Sequence, residues 1–167
     1  MIFFSSISKV NGGINLKKIL LFSFFIIFIP FVIVNFFIKD DEIKFEYKEN
    51  MYVRVKRSNN IIEKIPIEDY VVGVLAGEMP ISFQSEALKA QALAARTYVM
   101  KKMSINFNND YDVVDTVMDQ VYLDKNYLLN AWGNEYLVKI NKIKEAVLDT
   151  YGEYITYNNE IIEAFYF

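Results

Sequence analysis

IPIEDYVVGVLAGEMPISFQSEALKAQALAARTYVMKKM, residues 65–103, reads as two helices joined by a tight turn, with Glu78 at the turn. Pro66 has a fixed φ that suits the start of a helix. Val71, Val72 and Leu75 give that first helix an apolar side. Gly77 is expected to end it, and Pro80 to stop it resuming at once. Ser85 is the expected N-cap of the second helix, with Glu86 well placed in its first turn. Leu88, Ala92, Ala95, Val99 and Met103 then recur at helical spacing. The alanines at 87, 90, 92, 94 and 95 favour the helix and let a neighbour approach closely. Lys101 and Lys102 stand near its C-terminus, where cations complement the helix dipole.

Working outward, residues 51–57 alternate apolar and polar side chains, the pattern of a half-buried strand. Ser58, Asn59 and Asn60 predict a turn, and residues 61–65 a returning strand. Downstream, residues 106–112 read as a polar loop, and residues 113–123 as one or two short strands. Residues 134–151 predict a third helix with Leu137, Ile140, Ile143, Val147 and Tyr151 on its buried stripe and Gly152 just beyond its end. Residues 153–157 and 161–167 predict a last hairpin around Asn158 and Asn159. The fold class is α+β, a mixed helix-and-hairpin domain without an internal repeat.

Residues 19–38, ILLFSFFIIFIPFVIVNFFI, are of another kind: twenty residues without a charge. As a helix rising about 1.5 Å per residue they span roughly 30 Å, the thickness of a bilayer core. Pro30 is tolerable there, because neighbouring groups in a membrane helix can satisfy the freed backbone. A buried core helix of this length would be expected to show a polar face. The only charged side chains before the segment are Lys9, Lys17 and Lys18, and all 21 acidic residues follow it. The positive-inside rule therefore predicts a cytoplasmic N-terminus and an extracytoplasmic remainder. A signal anchor fits better than a cleaved signal peptide, since no small-residue cleavage site follows Ile38. The expected organisation is a cytoplasmic tail (1–18), a transmembrane anchor (19–38), a charged linker holding the domain off the membrane (39–50) and the domain itself (51–167).

Cysteine and histidine are both absent. That removes disulfides, thiol nucleophiles, Ser-His-Asp triads and Cys/His zinc sites together. Any acid–base chemistry must fall to Asp, Glu, Tyr or Lys. The part beyond the apolar segment is mildly acidic and has no clustered basic surface, so nucleic acid is not an expected partner. Glu78, at a helix end, is by itself most simply a solvated surface residue, and the string around it is what gives it a context. A carboxylic acid can act as a proton donor near neutral pH when apolar groups bury it. Met79, Pro80, Ile81 and Phe83 are the expected wall, and Gly77 would let a ligand, a sugar on the resemblance given below, come close. No second carboxylate pairs convincingly with Glu78, because the start of a helix accounts for Glu86. Trp132 is expected in helix or core packing.

The string GEMP, a short gap and EALKAQALAARTY resembles the domain of stage II sporulation protein D, shared with the LytB-type amidase enhancers of bacterial cell walls. Asp119-Gln120-Val121-Tyr122 also matches text common in that family. The resemblance runs over residues 51–167 and is most specific over 77–98. It implies a sporulation lytic transglycosylase in which Glu78 is the catalytic acid and base. Such an enzyme leaves 1,6-anhydro-muramic ends on peptide-stripped glycan strands, and the sugar's own 6-hydroxyl attacks, so one carboxylate suffices. The implied compartment is the mother-cell membrane facing the forespore during engulfment. The implied partners are peptidoglycan glycan strands, a cell-wall amidase, other engulfment proteins and the membrane.

Gln91, Arg96, Gln120 and Tyr122 are candidate substrate contacts. Arg96 is alternatively a structural partner of Glu68 or Asp69, and Gln120 and Tyr122 are alternatively strand residues. Some family members bind a metal through Cys and His, residues this chain lacks, so no zinc and no other cofactor is expected. A non-catalytic glycan-binding or amidase-enhancing module is the second reading, and an inactive fragment the third. The domain is expected to be truncated, since the pattern of its last strand stops at Phe167 and family members continue with a Ser/Thr/Gly-rich segment.

Overall fold

The computed structural model describes residues 16–37, 41–46 and 51–165, in two units, Met1–Asp40 and Asp41–Phe167. The first unit holds α1, Leu16–Phe37, with Pro30 inside it. Its window Lys17–Val34 has a mean hydropathy of 2.3 and no buried side chain. The helix is long and apolar enough to cross a membrane, as the unbroken apolar run predicts. Expectations for residues 1–15 and for Ile38 lie outside the described residues.

The second unit is built on the quoted stretch. Strand β1 (Tyr52–Lys56) pairs antiparallel with β2 (Ile62–Pro66), Val53 opposite Ile65. Val53, Val55 and Ile65 face inward, as period-two alternation requires. Helices α2 (Ile67–Glu78) and α3 (Ser85–Ile105) follow. The chain then returns to the sheet as β3 (Val113–Val114), parallel to β1, giving the order β2-β1-β3. A parallel neighbour needs a long crossover, and the α2–α3 pair is that crossover.

Helix α4 (Lys125–Trp132), a 3₁₀ turn (Gly133–Glu135) and α5 (Tyr136–Asp149) complete the helical layer. Helices α2, α3 and α5 pack on one another, and Tyr70, Val74, Leu75, Leu88, Ala92, Val99, Ile143 and Val147 are the shared core. The closing hairpin, β4 (Thr156–Tyr157) and β5 (Glu160–Ile161), turns on Asn158 and Asn159, both at positive φ. Asn tolerates that conformation. The paired part is shorter than the alternation predicts, and residues 166 and 167 lie outside the described residues.

Several local expectations are corrected. Helix α2 does not stop at Gly77 but runs through it to Glu78, and the peptide N–H of Met79 closes its last turn on Leu75. Ser85 is the first helical residue rather than the cap, and Gln84 in the cap position makes no side-chain bond. Helix α4 was not anticipated. Leu128 is its one buried residue, so it has no periodic stripe, although Asp124 caps it by accepting the Tyr127 N–H at 2.9 Å. On α5, Leu137 is exposed and Tyr136 takes the inward position.

The spacer expectation also fails where it can be seen. Residues 41–46 lie against α4 and α5. Glu42 bridges Lys125 and Lys144, each at 2.8 Å. The Asn141 side-chain amide accepts from Ile43 N–H and donates to the Asp41 carbonyl, both at 2.9 Å.

Candidate active site

Arg96 fixes the frame of the site. Its side chain is 1% exposed, packed against Glu68 at 2%. The guanidinium donates from Nε and Nη2 to the Glu68 carboxylate at 2.6–3.2 Å. The remaining N–H groups reach Thr150 Oγ1 and the carbonyls of Glu153 and Val147. All five donors of the side chain thus have protein acceptors. Of the two partners the sequence offered, Glu68 is the one bonded, and it also accepts the Gly152 N–H at 3.3 Å. This ion pair ties α2 and α3 to the end of α5. Of the two readings of Arg96, the structural pairing with Glu68 is present, and the N–H groups all face inward.

Two glycines one turn apart on α2 shape what lies above it. A Cβ on Gly73 would fall 2.3 Å from the Tyr122 ring and 2.7 Å from the Leu123 carbonyl, and one on Gly77 would fall 2.9 Å from the Val121 carbonyl. Residues 119–123 use this bare track to cross the helix. The Leu123 N–H donates to the Gly73 carbonyl at 3.2 Å. The close approach at Gly77 is taken by this segment, not left for a sugar.

Tyr122 stacks on Tyr70 with ring centroids 5.4 Å apart and lies under the Arg57 guanidinium at 5.0 Å. Burial pushes its hydroxyl up to about 12. Gln120 is 2% exposed. It accepts from the Tyr70 hydroxyl at 3.1 Å and donates to the Ala95 carbonyl at 3.3 Å. Gln91 is half-buried on α3.

The crossing segment delivers one group to Glu78. The Val121 N–H donates to Glu78 Oε1 at 3.1 Å. Glu78 is exposed and lies at the C-terminal end of α2. There the negative end of the helix dipole disfavours an anion by about 0.3–1 kcal/mol. Stabilising the helix is therefore no reason for a carboxylate at this position.

Glu78, Tyr98, Val117, Met118, Asp119, Gln120, Val121 and Phe165 line a cleft of about 400 Å³. The expected wall of Met79, Pro80, Ile81 and Phe83 does not line it. Met79 and Ile81 pack on the core, and Phe83 is 46% exposed. The turn they occupy is pinned by Lys142, whose ammonium donates to the carbonyls of Ile81 and Phe83, both at 2.6 Å. The apolar lining comes instead from Val117, Met118, Val121 and Phe165. Of the candidate contacts, the structure brings Gln120 to this cleft beside Glu78. Gln91 and Arg96 are not among its lining residues, and Tyr122 lines a separate cavity with Gly73 and Leu123.

Tyr98, Asp119 and Lys102 form a cluster that the sequence does not by itself bring together. Asp119 Oδ1 accepts from the Tyr98 hydroxyl at 2.7 Å and pairs with the Lys102 ammonium at 2.8 Å. Its Oδ2 accepts the Val114 N–H at 2.8 Å. Burial would raise the Asp119 carboxyl, but Lys102, the Val114 N–H and Tyr98 outweigh it and hold it below the usual Asp range. Burial, reinforced by donation to Asp119, pushes the Tyr98 hydroxyl up. The hydrogen bond to Asp119 raises Lys102 against its own partial burial. The available signal was spacing: Tyr98 and Lys102 stand four apart on one helix face. Among the described residues, no group of three or more acidic side chains is placed to hold a metal ion.

A family model described as stage II sporulation protein matches residues 55–157. The chain is 47% identical over 116 residues to stage II sporulation protein D of Bacillus subtilis (strain 168), covering 67% of this chain and 34% of that protein. The protein of that name from Bacillus amyloliquefaciens gives the same figures. Identity to the amidase enhancer of Bacillus subtilis is 38% over 94 residues, 56% of this chain and 11% of that protein. The chain spans about a third of the length of the two sporulation relatives. Glu78, Tyr98, Lys102 and residues 117–121 all fall within the matched stretch, and Phe165 lies beyond it.

Proposed function

The chain belongs to the stage II sporulation protein D family, and from that premise we propose that it is a membrane-anchored lytic transglycosylase of sporulation, with Glu78 as the acid and base. Glu78 first protonates the glycosidic oxygen, which leaves C1 of the muramic residue. As a carboxylate it then takes the proton of that sugar's 6-hydroxyl, whose oxygen bonds to C1 and closes the 1,6-anhydro ring. No water and no second carboxylate enter, unlike hydrolysis by paired carboxylates.

The observation that carries this reading is the setting of Glu78. It is an exposed carboxylate at the edge of a cleft, with Oε1 held by the Val121 N–H and Oε2 without a hydrogen-bond partner among the described residues. A glycan seated against Val117, Met118 and Phe165 would exclude water from it. Helix α1 serves as the anchor, with the cytoplasm on the side of Lys17 and Lys18 and the domain outside. The substrate would be glycan strands already stripped of peptides by an amidase during engulfment.

The test is incubation of the whole chain, in detergent, with amidase-treated glycan strands. Expected are 1,6-anhydro-muramic ends that disappear in Glu78→Gln. Unchanged product from Glu78→Gln would remove the carboxylate from the mechanism.

A second reading has its own support in the exposure of Glu78 and the likeness to an amidase enhancer. In it the domain binds glycan and stimulates an amidase without cutting. Amidase stimulation by both wild type and Glu78→Gln, with no anhydro product from either, selects it.

A further inference from the structure

We infer that Tyr98, Asp119 and Lys102 form a clamp that positions Glu78 through the peptide N–H of Val121. This rests on Glu78 being the acid and base. An exposed Glu side chain has several rotamers open to it, and the bond from Val121 selects one arrangement. Whatever fixes Val121 therefore fixes the carboxylate.

Val121 lies in a stretch without regular structure, just after a loop tip where Val117 and Met118 are 89% and 83% exposed. Asp119 is the anchor between that tip and Val121. Its two oxygens gather three donors from two directions: Tyr98 and Lys102 from α3, and the Val114 N–H from the end of β3. Downstream, the Gln120 side chain and the Leu123 N–H hold the segment to α3 and α2. Without Asp119, Val121 keeps the anchors at Gln120, Tyr122 and Leu123 but loses the one that separates it from the exposed tip.

The alternative role for Asp119 is as a second carboxylate acting on the substrate. Its surroundings argue against that. Both oxygens are occupied, one by an ammonium and a phenol together, and the side chain is 11% exposed. It is a positioning residue, and Tyr98 and Lys102 position it in turn.

The experiment uses the full chain, ¹⁵N-labelled, in detergent. It compares wild type, Asp119→Ala, Lys102→Met and Tyr98→Phe, the last removing one hydroxyl while keeping the ring. The first readout is the Val121 amide: its chemical shift and its hydrogen exchange. Asp119→Ala should shift that resonance and speed its exchange by about tenfold or more, with Lys102→Met and Tyr98→Phe moving it the same way by less. The second readout is turnover of peptide-stripped glycan strands, where kcat should fall about tenfold with KM changed by less than about twofold.

A Val121 amide unchanged in folded Asp119→Ala overturns the clamp. So does a raised KM at constant kcat, which would make Asp119 a substrate contact. If Asp119→Ala does not fold, Tyr98→Phe decides by the same two readouts. If wild type makes no product, or Glu78→Gln makes as much, the catalytic reading has failed, and the clamp is then judged on the Val121 amide alone.

Discussion

At the scale of single residues, Arg96 and Glu68 show a motif residue used to hold the fold together. A specific string surrounds Arg96, yet every donor it has is used inside the protein. Removing one partner of a buried, fully bonded pair typically costs about 3–5 kcal/mol. Arg96→Met and Glu68→Gln should each lower the denaturation midpoint by a corresponding amount. A glycan-groove Arg96 would instead leave stability unchanged and weaken binding. Two tyrosines make a pH prediction. Burial raises Tyr122 and Tyr136 from 10.0 to about 12, Tyr136 with help from nearby Glu42. Their folded values lie above the unfolded one, so this stability is present below pH 10 and is lost as pH rises toward about 12. Absorbance titration should show late-ionising tyrosines that coincide with alkaline unfolding, one fewer in Tyr122→Phe. Sequence could nominate Glu78 and offer Glu68 for Arg96, since residue type and spacing are local. It could not tell that Arg96 is buried and Glu78 exposed, because burial depends on elements far along the chain.

At the scale of elements, the decisive feature is the glycine track on α2. Alanine favours a helix over glycine by about 0.8–1 kcal/mol, so Gly73 and Gly77 are costly inside α2 unless something needs the space. The segment 119–123 does. In Gly77→Ala the new methyl would meet the Val121 carbonyl, which is backbone and cannot simply rotate away. Overpacking of this kind typically costs about 1–3 kcal/mol, more than the propensity gain. Gly77→Ala should therefore lower the melting temperature and move the Val121 amide resonance, and on the catalytic reading lower kcat. A gain in stability with an unmoved amide would show that the track is not tightly packed. The sequence reading took Gly77 as a helix terminator because glycine before proline usually punctuates. What it lacked was the partner that makes a mid-helix glycine useful. The long helices α2, α3 and α5 were legible because each carries an apolar stripe, whereas α4 buries one residue and has none.

At the scale of the molecule, the segment 41–46 is part of the domain and not a spacer. Burial tends to raise Glu42, but hydrogen bonds and attraction from Lys125 and Lys144 outweigh it and hold its carboxyl below the ordinary 4.5. A lowered folded value means stability that is present above pH 4.5 and is lost as pH falls through the folded value. Asp119 contributes in the same sense, below its own ordinary 3.8. Thermal melts should show the midpoint falling on acidification below these values. Glu42→Gln should lower the midpoint by a few degrees at neutral pH, in keeping with up to about 1 kcal/mol for a partly exposed pair, and should flatten the acid slope. An unchanged melt would mean that the segment 41–46 contributes nothing to stability.

Composition and periodicity alone determined the apolar helix α1, the helical stripes and the turn at Asn158 and Asn159, while the string that resembles a family nominated Glu78. Each is a property of neighbours within a few residues. Tertiary structure decided the parallel pairing of β3 with β1, the seating of residues 119–123 on Gly73 and Gly77, the inward turn of Arg96, and the docking of residues 41–46. It also decided that the apolar lining near Glu78 comes from Val117, Met118, Val121 and Phe165 instead of from its own turn. These are contacts between segments tens of residues apart, and they exist only once the chain has closed the loops that bring them together.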